Sequence, residues 1–207
     1  MTDYIRAYYQ AIKDGSEVVG RWILLLYEYV VKGLENKSFY FAPKKADRAI
    51  KFIENYCHHS KGRNDLLKLE LWQKALVSVI FGIVDENGLR QFREVVLIIG
   101  RKNGKSLFAA AIMAYVSFLD DEYGAEIYCL APKLDQAEIV YSCFWQICLA
   151  EEDLKDKIQK RGRLSDYYIE ESNTVIKKVA FNAKKSDGFN PSLCICDEIA
   201  AWEGDKG

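Results

Sequence analysis

The sequence lacks any excess of positive charge, the property that most simply predicts binding to nucleic acid. Lysine and arginine number 29 against 30 aspartates and glutamates, which leaves a formal net charge of −1 at pH 7. Contact with DNA would therefore need a local basic patch or the assembly of several chains. The chain has 207 residues, half of them hydrophobic, which suits one substantial α/β domain with a helical addition.

This sequence also shows no pattern that predicts a targeting or membrane-spanning segment. The first residues, MTDYIRAYYQAI, contain no apolar run like that of a signal peptide, and no stretch is long enough to cross a bilayer. Three of the six cysteines, Cys129, Cys194 and Cys196, lie in apolar runs, which predicts reduced core cysteines and a cytosolic compartment. The sequence CHH at 57–59 has no second ligand pair at zinc spacing, which favours a helix end over a metal site.

The first part of the chain has the apolar spacing of helices, and the second part alternates. Helices are predicted over 4–12, 17–31, 46–56, 66–84, 106–119 and 134–150. The run EVVLII at 94–99 predicts a strand that is buried on both faces. Further strands are predicted over 126–131, 167–170, 174–181 and 193–196, and those over 167–170 and 174–181 are predicted to pair around Ser172-Asn173. This alternation favours an α/β fold with a mostly parallel sheet that is flanked by helices.

The segment IIGRKNGKSLFAAAI places Gly-Lys-Ser between the predicted strand and a helix. Gly104 allows the backbone to approach a phosphate, Lys105 can reach the β and γ oxygens, and Ser106 can place its hydroxyl on Mg²⁺. The usual phosphate loop has a glycine five residues before Gly104, and Ile99 stands there instead. The alternative interpretation is an ordinary polar turn between a strand and a helix.

Other residues of the loop can also meet phosphate. Gly100 can supply the flexibility of the turn, and the backbone N–H groups at Lys102 and Asn103 can point inward. Arg101 could reach the γ-phosphate and stabilise charge in the transition state, although a solvated basic loop or a contact with a neighbouring subunit would also explain it. Less specific candidates for the same role precede the predicted strand: Arg90 and Arg93.

Two carboxylates, Asp197 and Glu198, follow the apolar run LCIC directly. The carboxyl edge of an open α/β sheet is where ligands bind. There, Asp197 suits Mg²⁺, and Glu198 can orient and deprotonate an attacking water. A solvated strand end would explain the pair alone equally well, so the assignment depends on the loop around Lys105.

Upstream of the loop lies the sequence Leu71-Trp72-Gln73. A glutamine amide has a donor and an acceptor that match the edge of adenine, and the neighbouring aromatic ring could form a pocket wall. Taken alone, the ordinary interpretation is a core tryptophan and a surface glutamine.

Four segments occur in the order LWQKALVSVIFG, REVVLIIGRKNGKSLFAAAI, LAPKLDQAEIVY and SDGFNPSLCICDEIAAW. In this order they resemble the large terminase subunits of tailed bacteriophages, the ATPases that pump DNA into capsids. The resemblance extends over about residues 31–202, and Gln136-Ala137 and Asp187-Gly188 are among its more specific signatures. It implies a P-loop NTPase fold of the ASCE type, with a helical N-terminal region over 1–65 and an ATPase core over 66–207.

The resemblance also implies a role for each site residue, with ATP and Mg²⁺ as cofactors. Gln73 would recognise adenine beside Trp72, and Lys105 and Ser106 would hold phosphate and Mg²⁺. Asp197 would order the metal, Glu198 would be the catalytic base, and Arg101 would sense or assist at the γ-phosphate. Gln136 belongs to a segment that in related motors faces DNA or transmits motion.

The partners that the resemblance implies are double-stranded DNA, the portal protein, the small terminase subunit and further copies of the chain in a ring. Its place of action would be the cytoplasm of the bacterial host, and transiently the portal of the procapsid. A full large subunit continues into a coupling motif and a nuclease domain, so this sequence is expected to be an N-terminal portion that ends just beyond Glu198. Two alternatives stay open: a helicase-like P-loop ATPase, and a catalytically incomplete module for nucleotide binding or assembly.

Overall fold

The computed structural model describes residues 2–60, 62–162, 166–180, 189–199 and 202. The chain divides into two compact units: unit 1 comprises residues 1–54 and 68–98, and unit 2 comprises residues 55–67 and 99–207. The boundary expected between residues 65 and 66 divides a helical N-terminal region from an ATPase core by function and not by compactness. That division stays a prediction. Within the described residues, no helix is long and apolar enough to cross a membrane.

Unit 1 is mainly helical, as its apolar spacing predicts. Its elements are α1 (Tyr4–Lys13), α2 (Arg21–Glu35), β1 (Tyr40–Phe41), α3 (Pro43–Tyr56), α4 (Leu71–Gly82) and β2 (Ile83–Val84). Helix α2 begins later than expected, because Gly20 at its N-cap has an extended backbone. Helix α4 is shorter than expected, because the extended Glu70 caps its start and β2 pairs with β1 after its end.

The core of unit 1 is made by aromatic and branched side chains of α1, α2 and α4. Tyr8 and Tyr27 meet edge to face with ring centroids 4.9 Å apart. Phe39 is buried beside Gly33, where any side chain in place of the glycine hydrogen would overlap the phenyl ring. The glycine is therefore needed for close approach between α2 and the segment that follows it.

Unit 2 contains a five-stranded sheet and its helices. Its elements are α5 (Lys105–Leu119), β3 (Glu126–Ala131), α6 (Leu134–Ala150), α7 (Glu152–Lys155), β4 (Ile158–Arg161), β5 (Asp166–Ile169), β6 (Thr174–Ala180) and β7 (Leu193–Cys196). The strand order is β4-β5-β6-β3-β7. Helix α6 packs against α5, β3 and β6, so both long helices lie on one side of the sheet.

The sheet confirms the α/β class but is mixed, whereas a mostly parallel sheet was expected. Strand β3 is parallel to both of its neighbours, β6 and β7. The β4-β5 and β5-β6 pairs are antiparallel, since only four residues separate the strands of each pair, too few for a helical crossover. The sequence does not predict β4, which is polar along most of its length and lies at one edge of the sheet.

Two expectations about buried segments are wrong. Residues 94–99 pair with no described strand, and five of the six are exposed, with Ile98 at 90%. The β-branched composition of EVVLII reports a preference for extended backbone, but a strand also needs a partner with free hydrogen-bonding groups. The second error concerns Cys194 and Cys196, which are exposed because alternate residues of β7 face away from the helices; Cys129 is buried as expected.

Candidate functional site

The end of β7 brings the two predicted carboxylates to the edge of the sheet. Strand β7 lies beside β3 in parallel register, with Leu130 opposite Cys196. One residue later, the Asp197 N–H donates to the Leu130 carbonyl oxygen at 3.0 Å, so the ladder continues to the first carboxylate. Asp197 is therefore fixed by the backbone of β3, at the edge where ligands bind in α/β sheets.

The loop before α5 makes a compact turn with two residues in the left-handed region. Lys102 has φ 67° and Gly104 has φ 73°, a conformation that is easy for glycine and costly for lysine. The Asn103 side-chain amide donates to the carbonyl oxygen of Gly100 at 3.1 Å and closes the turn. The Phe108 N–H then donates to the Gly104 carbonyl oxygen at 2.9 Å, which begins the helix.

Lys105, the first residue of α5, joins the loop to the carboxylates. Its Nζ lies 2.7 Å from Glu198 Oε1 and 3.2 Å from Asp197 Oδ1. The side chain of Asp197 is 14% exposed, that of Lys105 38% and that of Glu198 46%, so the cluster opens to solvent on the side of Glu198. The structure thus brings the loop lysine and both acids, which are far apart in sequence, into one group.

Charge in this cluster shifts two pKa values. The hydrogen bond from Lys105 lowers the pKa of Glu198, and the charges of Lys105 and Arg101 lower it further. The same hydrogen bond raises the pKa of Lys105, and contact with Asp197 adds to this effect. Glu198 is therefore ionised at neutral pH, and Arg101 lies close enough to act on its charge.

The backbone at Glu198 is unusual. Its φ of 51° is in the left-handed region, which residues other than glycine rarely adopt. Its N–H donates to Asp197 Oδ1 at 2.9 Å, and the indole N–H of Trp202 donates to the Asp197 carbonyl oxygen at 3.0 Å. Such conformations persist where the surroundings hold them, and they cluster at functional sites. Trp202 is not among the residues that the sequence singles out, beyond its place in the segment IAAW.

Oxygen donors at this edge fit a hard divalent cation. Asp197 offers a carboxylate, and Ser106, the second residue of α5, is half-buried and offers a hydroxyl next to Lys105 in the chain. Mg²⁺ prefers oxygen ligands and is commonly held by one or two carboxylates together with phosphate oxygens. The donor set therefore fits the magnesium ion that the sequence predicts.

Two predicted adenine contacts lie in unit 1. Gln73 Oε1 accepts the Glu70 N–H at 2.9 Å, so its amide oxygen caps α4. Trp72 is half-buried and packs against the core of unit 1. Their contact with adenine stays a prediction.

Two signature pairs from the sequence have different outcomes. Gln136 lies in the first turn of α6, where its Oε1 is buried and accepts no hydrogen bond from the described residues. Its role in DNA contact or motion stays a prediction. Asp187-Gly188 lies outside the described residues.

A lysine at the start of a helix, meeting acids at the end of a parallel strand, is the arrangement of P-loop nucleotide-binding proteins. The family model described as the terminase large subunit, ATPase domain, matches residues 71–206. The chain therefore belongs to the terminase large subunit ATPase domain family, and the family match favours this over the helicase-like alternative.

Individual relatives agree with the family match. The terminase large subunits of Lactococcus phages p2 and SK1 are each 24% identical to the chain over 214 residues, covering 98% of it. The chain spans only 38% of the length of these two proteins. The crystal structure of the HK97 bacteriophage large terminase has the same fold over 77% of this chain and 32% of its own, with a TM-score of 0.66 and 23% identity.

Proposed function

We propose that this chain is the ATP-binding and ATP-hydrolysing motor domain of a phage terminase, which couples hydrolysis to movement of duplex DNA into a procapsid. The observation that carries the proposal is the position of Lys105 Nζ, within 3.2 Å of Asp197 and 2.7 Å of Glu198. This cluster unites the three functional groups that phosphoryl transfer needs: a cation for phosphate, a ligand for the metal and a base.

Phosphate would bind where the loop turns into α5. The N-terminal N–H groups of a helix and the positive end of its dipole attract anions, and Gly104 leaves the backbone uncovered. Lys105 would exchange its two carboxylate partners for oxygens of the β- and γ-phosphates. While Lys105 contacts Glu198 and Asp197, these contacts raise its pKa, so Lys105 is charged before phosphate binds.

Release of Lys105 would leave the two acids free for separate tasks. Asp197 and Ser106 would hold Mg²⁺, which when bound supplies charge that neutralises the developing phosphate oxyanions. Glu198 would orient a water molecule and accept its proton. The higher exposure of Glu198 and its place after Asp197 suit it to face solvent and the attacking water.

Other residues of the loop and of unit 1 are proposed to contact the nucleotide as well. Arg101 lies near enough to Glu198 to lower its pKa, which supports a role at the γ-phosphate. The N–H groups of Lys102 and Asn103 would add donors beside those of Gly100 and Gly104. Trp72 and Gln73 would contact the adenine ring, as the family resemblance implies.

The first test is binding of Mg-ATP measured by thermal unfolding. A ligand that binds only the folded state stabilises it by about 2.7 kcal/mol at a concentration of about 100 Kd. We expect Mg-ATP to raise the melting temperature of the wild-type protein and of Glu198→Gln, and Lys105→Ala to lose the shift.

The matched control is Lys102→Ala, which removes a cation from the same loop and should keep the shift. Measuring hydrolysis separates the role of Glu198 from nucleotide binding, because Glu198→Gln should bind Mg-ATP without turnover. The proposal would be contradicted if the folded wild-type protein had the same melting temperature with and without Mg-ATP. It would also be contradicted if Glu198→Gln hydrolysed ATP at the wild-type rate. Binding without turnover in the wild type would favour the catalytically incomplete module.

The proposed partners of this chain are double-stranded DNA, the portal protein, the small terminase subunit and other copies of the chain in a ring. Its location would be the cytoplasm of the host and the portal. Supporting these proposals, the two curated relatives are terminase large subunits of phages.

Binding to duplex DNA by the single chain should be weak, because the net charge is −1. Fluorescence anisotropy with a labelled duplex is expected to show affinity that falls steeply as salt increases, since phosphate contacts release counterions. Tight binding at physiological salt by the monomer would contradict the proposal that DNA is held mainly by an assembled ring.

A further inference from the structure

The last strand of the sheet carries two exposed thiols next to the nucleotide site. Cys194 and Cys196 are two residues apart on β7, so both side chains leave the same face of the sheet. Their Sγ atoms lie 3.7 Å apart. Cys196 directly precedes Asp197, whose carboxylate contacts Lys105.

The other four cysteines are in a different environment. All of them are buried: Cys57, Cys129, Cys143 and Cys148. Burial raises the pKa of the Cys57 and Cys148 thiols, which keeps them protonated and unreactive. A reagent in solution can therefore reach two neighbouring thiols and leave four others untouched.

We propose that Cys194 and Cys196 form a redox-responsive dithiol, which a low-molecular-weight disulfide converts into an intramolecular disulfide that disables the neighbouring nucleotide site. One cysteine thiolate attacks a sulfur of the small disulfide, forms a mixed disulfide and releases one small thiol. The second cysteine then attacks the protein sulfur of the mixed disulfide and releases the second small thiol. Two protein thiols lose two electrons, the small disulfide gains them, and the two protons end on the released thiols.

The geometry of the strand connects this reaction to Asp197. Residues two apart in an extended strand have Cα atoms about 6.4–6.8 Å apart. Disulfides most often join Cα atoms about 5.5–6 Å apart, so closing the bond would draw the two Cα atoms together and pucker β7 at its end. The pucker would fall one residue before the Asp197 N–H that donates to Leu130 and two residues before Glu198.

Oxidation should therefore displace both acids from Lys105. The loss of nucleotide binding rests on the proposed function, whereas formation of the disulfide and movement of Asp197 do not. Displacing a group that orients a metal ligand commonly costs about 10–100-fold in metal affinity. We expect the oxidised protein to bind Mg-ATP at least about tenfold more weakly than the reduced protein.

The first measurement is peptide mapping by mass spectrometry after treatment of the folded, reduced protein with oxidised glutathione. The peptide spanning residues 186–206 should lose two hydrogens, and reduction with dithiothreitol should restore them. Cys194→Ser and Cys196→Ser should stop at the mixed disulfide, while the buried-site control Cys143→Ser should behave as wild type. A wild-type protein that stops at the mixed disulfide, or that oxidises at another cysteine, would overturn the proposal.

The second measurement reports on Asp197 without nucleotide. The Trp202 indole donates to the Asp197 carbonyl oxygen, so its fluorescence should change when β7 puckers. The change should be absent in Trp202→Phe and in Cys194→Ser, and it should reverse with dithiothreitol. Closure of the disulfide without a change in Trp202 emission would overturn the link to Asp197.

The third measurement compares Mg-ATP affinity in the reduced and oxidised forms. Weaker binding after oxidation supports the proposal, and equal affinity in the two forms overturns the effect on the nucleotide site. If neither form binds Mg-ATP, the proposed function fails, while disulfide closure with a Trp202 response would still support the dithiol and its link to Asp197. The two failures are therefore distinguishable.

Discussion

Two apolar runs lead into the two halves of the candidate site, and only one of them is a strand. EVVLII at 94–99 precedes the phosphate loop, and LCIC at 193–196 precedes Asp197. The shorter and less β-branched run pairs with β3 in parallel register. The longer run has no described partner and is largely exposed.

The difference shows that pairing, and not composition, makes a strand. β7 has β3 beside it, with free backbone groups in register from Ile127 to Leu130. A run of β-branched residues without such a neighbour keeps its preference for extended backbone but buries nothing. Of the two halves of the site, the acids are therefore held by the sheet, and the loop is held by its own turn and by α5.

The largest expected difference in the free energy of unfolding comes from replacing an isoleucine by aspartate in each of the two runs. Ile195 is half-buried within the sheet, whereas Ile98 is 90% exposed. Ile195→Asp should lower the free energy of unfolding by about 2–3 kcal/mol, because it places an unpaired charge in a packed strand. Ile98→Asp should change it by about 0.5 kcal/mol or less, as surface substitutions do.

Urea unfolding of both variants would measure the contrast, and Ile195→Val provides a conservative control for the loss of one methylene. Equal destabilisation at the two positions would mean that residues 94–99 are buried in a strand after all. That result would end the distinction between the two runs.

A smaller effect should come from the turns that follow the two runs. Lys102 and Glu198 both have positive φ, but Glu198 also holds Lys105 through its carboxylate. Lys102→Gly should raise the free energy of unfolding by about 0.5–1 kcal/mol, because glycine adopts the left-handed region freely and only part of this gain is lost to unfolded-state entropy.

Glu198→Gly should gain less than Lys102→Gly, since it also loses the contact with Lys105. The comparison is made by urea midpoints measured under the same conditions. If Glu198→Gly raised the free energy of unfolding more than Lys102→Gly, the ion pair with Lys105 would contribute little to stability, as exposed ion pairs often do.

Strong helical spacing allowed most of the fold to be predicted from sequence. Helices α5 and α6 begin and end within one residue of their predicted bounds. Strand β4 escaped prediction because IQKR has one buried residue and gains its pairing from β5. The β4-β5 pair could therefore not be predicted, whereas the β5-β6 pair around Ser172-Asn173 was predicted and is confirmed.

For the site, the sequence indicated which residues take part but not the local geometry that holds them. The sequence singled out Lys105, Asp197 and Glu198, and the structure brings these three residues together, while their roles stay predictions. The left-handed backbone of Glu198, its hydrogen bond to Asp197 and the support from Trp202 depend on tertiary contacts. The exposure of Cys194 and Cys196 could not be predicted, because alternation in a strand does not say which face is covered.

Affinity labelling can detect whether Lys105 binds the terminal phosphates of ATP, as proposed. An acyl-phosphate derivative of ATP transfers its acyl group to a lysine amine that lies beside the γ-phosphate, and peptide mapping identifies the modified residue. We expect Lys105 to be the main labelled residue and excess Mg-ATP to suppress the labelling. Labelling of Lys102 in place of Lys105, or labelling that excess Mg-ATP leaves unchanged, would contradict this role of Lys105.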